Sequence, residues 1–145
     1  MSMAVKQISV FVQNRSGGLA DITKALSDAN VNIRALSISE TSDFGILRLI
    51  VDDVYAAGNA LKEAGHIYDI TDVIAVAGED KPGSIANIMA VLADAGISLD
   101  YAYAFFAKSK ELAYMIIKVE DRQLAKKVLK EHNIPMVKEE DIANL

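Results

Sequence analysis

Two tandem β-α-β-β-α-β units of the α+β class are predicted by three observations in the sequence. A turn leaving an apolar strand occurs twice, as Gln13-Asn14-Arg15-Ser16-Gly17-Gly18-Leu19-Ala20 and, about 66 residues later, as Glu79-Asp80-Lys81-Pro82-Gly83-Ser84-Ile85-Ala86. The match extends past the turns. Ile8 and Ile74, Ile22 and Ile88, and Leu26 and Leu92 keep the same offset, while Asp53 pairs with Asp121 at an offset about two residues longer, as one longer hairpin loop requires. Strand-like and helix-like periodicities then follow one another in the same order in both halves.

The first half opens on Val5 to Val12, a strand with Ile8, Val10 and Val12 on one side and Ser9 and Phe11 on the other. Beyond the glycine turn, Leu19, Ile22, Leu26 and Ala29 recur at helical spacing until Asn30 stops the helix. Asn32 to Ser39 and Gly45 to Val51 are β-rich and flank Glu40-Thr41-Ser42-Asp43, which has the composition of a hairpin loop. Tyr55 to Ala64 is a second helix with Ala57, Ala60, Leu61 and Ala64 on one face, closed by Gly65, and Ile67 to Ile70 is a short strand.

The order then repeats. Val73 to Ala77 is a strand and Ser84 to Ala95 a helix carrying Ile85, Ile88, Met89 and Leu92, stopped by Gly96. Leu99 to Phe106 and Leu112 to Val119 form a hairpin across Lys108-Ser109-Lys110. Gln123 to His132 is a crossover helix, Pro135 to Val137 a brief strand, and Glu139 to Leu145 a polar tail or last turn. The predicted domains are residues 1–70 and 71–145, each small enough to have a marginal core alone.

Composition narrows the function. A formal net charge of −5 argues against a nucleic-acid backbone or an anionic membrane as partner, since either needs a surplus of Lys and Arg on one face. The absence of cysteine excludes disulfides and thiolate chemistry. Ile8 to Val12 is too short for a signal-peptide core and no apolar run approaches a membrane span, so a cytoplasmic location is expected. No nucleophile, acid–base pair or cofactor motif stands out, so no enzyme activity and no cofactor are expected. His66 and His132, at helix ends without metal-spaced partners, read as caps or surface residues.

A β-α-β-β-α-β unit forms a four-stranded antiparallel sheet with both helices on one face, the ferredoxin-like arrangement. In Leu99 to Phe106, Ala102 and Ala104 suit the side under the helices, and Tyr101, Tyr103 and Phe105 then need a cover on the other side, from the other half of the chain or from a second subunit. Subunit packing is favoured over base stacking because no basic stripe accompanies these aromatics. A homodimer is therefore expected.

The two turns, each leaving the first strand of its unit, resemble those of the ACT domain, a small-molecule-binding regulatory module attached to enzymes of amino-acid metabolism. Asp80-Lys81-Pro82-Gly83-Ser84-Ile85-Ala86 is similar to that family's acid/amide-basic-Pro-Gly-x-aliphatic-Ala turn, and Asn14-Arg15-Ser16-Gly17-Gly18-Leu19-Ala20 differs in having Ser16 in place of Pro. The family's passage from helix to second strand is matched by Asn30-Val31-Asn32-Ile33 and by Gly96-Ile97-Ser98-Leu99.

The resemblance implies a free amino acid bound between adjacent ACT units and a regulated partner enzyme. By position it assigns Asn14 and Asn32 to the ligand's amino or carboxylate group in the first copy, with Asp80 and Ser98 in the same places in the second. Elementary chemistry agrees with such a site. Backbone N–H groups at Gly17, Gly18 and Leu19, or Gly83, Ser84 and Ile85, sit at a helix N-terminus where a carboxylate is favoured, and Arg15 and Ile33 complete the candidate set. The first copy is ranked as the site because Ser98 is shorter than Asn32. Two other readings stay open: the turns are plain strand-to-helix connections, capped by Asn14 or Asp80, in an interaction module, or a small active site lies at an interface.

Overall fold

The computed structural model describes residues 4–13, 15–40, 43–105 and 112–142. The chain divides into two compact units, one of residues 6–71 and one of residues 72–145 with the N-terminal residues up to Val5.

The first unit contains β1 (Ala4–Gln13, from Lys6 onward), α1 (Gly18–Asp28), β2 (Ile33–Glu40), β3 (Phe44–Val51), α2 (Val54–Glu63) and the first residues of β4 (Tyr68–Glu79). β3 lies between β2 and β1, antiparallel to both: Val10 opposes Leu47 and Leu36 opposes Leu49. Phe11 N–H donates to Ile67 O at 3.0 Å, which brings the chain leaving α2 back beside β1. Strand alternation sends Ile8, Val10, Val12, Leu47, Leu49 and Val51 to the helical face, where Ile22 and Leu26 of α1 and Val54, Ala57 and Leu61 of α2 close over them.

The second unit contains the rest of β4, α3 (Ser84–Asp94), β5 (Leu99–Ala104), β6 (Leu112–Val119), α4 (Arg122–Glu131), β7 (Met136–Val137) and α5 (Glu139–Ile142). Its strands run β7-β4-β6-β5, with neighbours antiparallel. Ile74, Val76, Ile117 and Val119 meet Ile88, Val91, Leu92, Ala125, Val128 and Leu129 of the two long helices. Each unit is thus the predicted ferredoxin-like arrangement, with its helices on one face.

The copies also agree in their helix ends. Asp53 caps α2 by accepting from Ala56 N–H, and Asp121 caps α4 by accepting from Leu124 N–H. Positive φ recurs just beyond each long helix, at Asn30 and Gly96 after α1 and α3, and at Gly65 and Asn133 after α2 and α4.

Several expectations are corrected. Ile67–Ile70 and Val73–Ala77 are not two strands: β4 runs unbroken from Tyr68 to Glu79, because Thr71-Asp72 contains neither glycine nor proline to interrupt extended backbone. Of the two readings of the segment from Glu139 onward, the last turn holds: Glu139–Ile142 form α5, and Ile142 is buried. Ala102 and Ala104 oppose Ile117 and Met115 on the helical face but are exposed, on the edge strand β5. Tyr103 and Phe105 are only 9% and 7% exposed within the single chain, which leaves half-buried Tyr101 as the accessible member of that aromatic row. Phe106 and Lys108-Ser109-Lys110 lie outside the described residues.

Candidate ligand-binding site

The corner that follows each unit's first strand is built alike. Gly17 (φ 84°) and Gly83 (φ 91°) occupy the N-cap positions of α1 and α3 in the left-handed region, where a Cβ is strained, and glycine has no side chain with which to cap. α2 and α4 carry aspartate caps; α1 and α3 do not. Gly18 N–H and Ser84 N–H donate back to Arg15 O and Lys81 O, each at 3.3 Å, and no side chain caps either helix at the positive end of its dipole.

In the first unit this corner opens on a cleft of about 280 Å³ whose lining includes Arg15, Gly17, Gly18, Leu19, Ile38 and Glu40. Leu19 departs from the expected apolar stripe: it is 39% exposed and turns toward the cleft, while Ile22 and Leu26 hold the core. Arg15 is poised over the corner by Asp21, whose Oδ2 accepts from Nη2 at 2.7 Å. Both groups are more than half exposed, so the pair orients the guanidinium more than it stabilises the fold. Ile38 and Glu40 escaped the sequence reading. They reach the corner because the β2–β3 hairpin folds back until Glu40 opposes Gly45, itself opposite Val12.

The remaining candidates fall elsewhere. Asn14 lies outside the described residues. Asn32 and Ile33 sit beyond the far end of α1, an 11-residue helix, hence about 16 Å from the corner along its axis. Asn32 is exposed, and its backbone is fixed by Asp52: its N–H donates to Oδ1 at 2.9 Å and its C=O accepts from Asp52 N–H at 3.1 Å.

In the second unit, Gly83 and Ser84 line a cleft of about 640 Å³ together with Glu79, Lys81, Asn87 and His132. Lys81 Nζ and Glu79 Oε2 pair at 2.8 Å, which holds the Glu79 carboxyl below its ordinary range and the Lys81 ammonium above its own. Asp80, Ile85 and Ser98 are exposed outside this cleft, and Ile85 does not join the α3 stripe that Ile88 and Leu92 form. Among the described residues no group of three or more His, Cys, Asp or Glu side chains is placed to hold a metal, and no helix is long and apolar enough to cross a membrane.

Comparison with known proteins places this geometry. Over 99% of the chain, the structure matches the crystal structure of protein BT0572 from Bacteroides thetaiotaomicron with a TM-score of 0.92 and 36% identity, covering 98% of that chain. The regulatory subunit of aspartate kinase from Thermus thermophilus, in a ligand-free form, shares the fold at a TM-score of 0.63 and 16% identity, over 90% of this chain and 93% of that one. The corresponding subunit from Thermus flavus does so at 0.55 and 17%, over 87% and 90%. No curated protein matches the sequence at a significant level. Residues 3–145 match the family model described as an ACT domain pair, and the chain belongs to that family.

Proposed function

We propose that this chain is a non-catalytic regulatory protein whose two ACT domains, residues 1–70 and 71–145, bind a free amino acid and pass its occupancy to a partner enzyme. The observation that carries the reading is the contrast between helix starts: α2 and α4 are capped by their own aspartates, whereas α1 and α3 begin at left-handed glycines with no side-chain cap, their first amides held only by long turn bonds of 3.3 Å. A carboxylate suits those amides, and Arg15 or Lys81 stands beside them. Aspartate kinase regulatory subunits share the fold, and regulation of an enzyme of amino-acid metabolism is the corresponding role here.

Asn32 is too far from Gly17 within its own unit for both to touch one small ligand. The proposed site accordingly takes Asn32 from a second copy of the chain, in a cytoplasmic homodimer, with Asn14, Gly18, Leu19 and Ile33 as the other first-copy contacts and Asp80, Gly83, Ser84, Ile85 and Ser98 as the weaker second set.

Thermal unfolding against each free amino acid tests the reading. A ligand at about 100 times its dissociation constant stabilises the native state by about 2.7 kcal/mol and raises the midpoint. Asn32→Ala is expected to weaken that effect more than Ser98→Ala. A midpoint unmoved by every amino acid would remove the proposal.

A further inference from the structure

The corner of the first unit carries apolar surface that the unit itself leaves uncovered. Leu19 and Ile38, 39% and 49% exposed, line its cleft from the start of α1 and from the edge strand β2. Two residues farther along β2, on the same side of the strand, stands Glu40. Its cross-strand neighbour is Gly45, which has no side chain to fill the space beside it and where a Cβ would lie 3.3 Å from the Ser39 carbonyl oxygen. Among the described residues that line the cleft, Glu40 is the one carboxylate and Arg15 the one cation.

The two charges are not equivalent. Arg15 Nη2 donates to Asp21 Oδ2 at 2.7 Å, and Asp21 lies outside the lining. Glu40 forms no hydrogen bond or ion pair with any described residue. The lining therefore offers a guest one unengaged negative charge at the end of an aliphatic surface.

We propose that the site of the first unit selects a free amino acid with a long cationic side chain, whose aliphatic stem covers Leu19 and Ile38 and whose charged tip pairs with Glu40. This rests on the amino-acid reading above, which assigns the ligand's α-groups to the corner amides, Asn14 and Asn32 and leaves Glu40 unused. Ile38 and Glu40 are about 7 Å apart along the strand, close to the reach of a four-carbon stem. An apolar stem with a charged tip is the division of surface that this wall matches. A cleft of about 280 Å³ suits one free amino acid and not a peptide. A side chain ending in a carboxylate would meet Glu40 with like charge and is rejected.

The second unit does not repeat the arrangement. At the places of Ile38 and Glu40 its sequence has Ala104 and Phe106. Glu79, which does line the second cleft, is engaged by Lys81 at 2.8 Å. Selection by charge accordingly belongs to the first copy.

Isothermal titration of the full chain with L-lysine and with L-norleucine, which is lysine without its ε-ammonium group, tests the assignment. Lysine is expected to bind about fivefold tighter at low ionic strength, and the difference should shrink in about 1 M salt. Glutamate should bind more weakly than glutamine. Glu40→Gln should erase the preference for lysine, and Glu40→Lys should reverse the order of glutamate and glutamine. Both changes fall at an exposed strand end, and far-UV circular dichroism checks that the variants fold. Norleucine binding as tightly as lysine would overturn the selection while leaving amino-acid binding in place. So would an equal loss of both ligands in Glu40→Gln, which would put Glu40 at the shared α-ammonium. Absence of binding by every amino acid would overturn both readings.

Discussion

Ser84 Oγ occupies the space that a side chain at Gly78 would need, and the repeat counterparts of this pair, Gly18 and Val12, exchange the bulk between them. A Cβ on Gly18 would lie 3.1 Å from Val12 Cγ1 and 3.0 Å from the Gln13 carbonyl oxygen. One unit thus places its volume on the strand and the other on the helix.

Gly78→Val should therefore destabilise the protein by about 1–3 kcal/mol through overpacking. Ser84→Gly should restore part of that loss. A urea double-mutant cycle is expected to give a coupling of about 0.5–3 kcal/mol; additive effects would mean that the two positions do not share space.

Asp53→Ala and Asp121→Ala should each cost about 1 kcal/mol, because each removes an acceptor that lies 3.0 Å from a first-turn amide nitrogen. Equilibrium denaturation checks the magnitude, and the corresponding asparagine variants should retain most of the stability.

The Glu79–Lys81 pair gives a signed pH dependence. Lys81 lowers the folded-state pKa of Glu79, chiefly by hydrogen bonding, so Glu79's small contribution is present above its unfolded value and lost as pH falls through the lowered one. Lys81 is raised, so its contribution is complete below its unfolded value and lost as pH rises through the raised one. Carboxyl carbon NMR should show Glu79 titrating low in the wild type and returning to the ordinary glutamate range in Lys81→Ala.

Tyr103→Glu is expected to unfold the chain instead of dissociating a dimer. At 9% exposure the new carboxylate would be withdrawn from water in place of a largely apolar ring, a change that costs several kcal/mol. A folded variant seen in sedimentation velocity with normal near-UV circular dichroism would contradict the burial.

Most of the fold was legible because both signals that encode it are local. Alternation gives the strand faces and the helical stripe gives Ile22, Leu26, Ile88 and Leu92, all of which are buried. Local signals fail where two elements meet. Periodicity alone cannot distinguish Leu19 and Ile85, which extend their helical stripes by one position, from core residues, yet both are exposed at the corners. Nor does it show that the Ala64–Ile67 turn adjoins the end of β1, since that proximity depends on the backbone bond from Phe11 to Ile67. The glycines that form the corners were visible in the sequence; the neighbours that give those corners walls were not.

The interchange of asparagine and glycine after the long helices has a further consequence. Asn30 stands where its counterpart is Gly96, and Gly65 where its counterpart is Asn133, yet all four keep positive φ. What descends from one half of the chain to the other is the torsion angle, and the letter that realises it is free to drift. Ancestry between such halves is accordingly recorded more faithfully in dihedral geometry than in spelling.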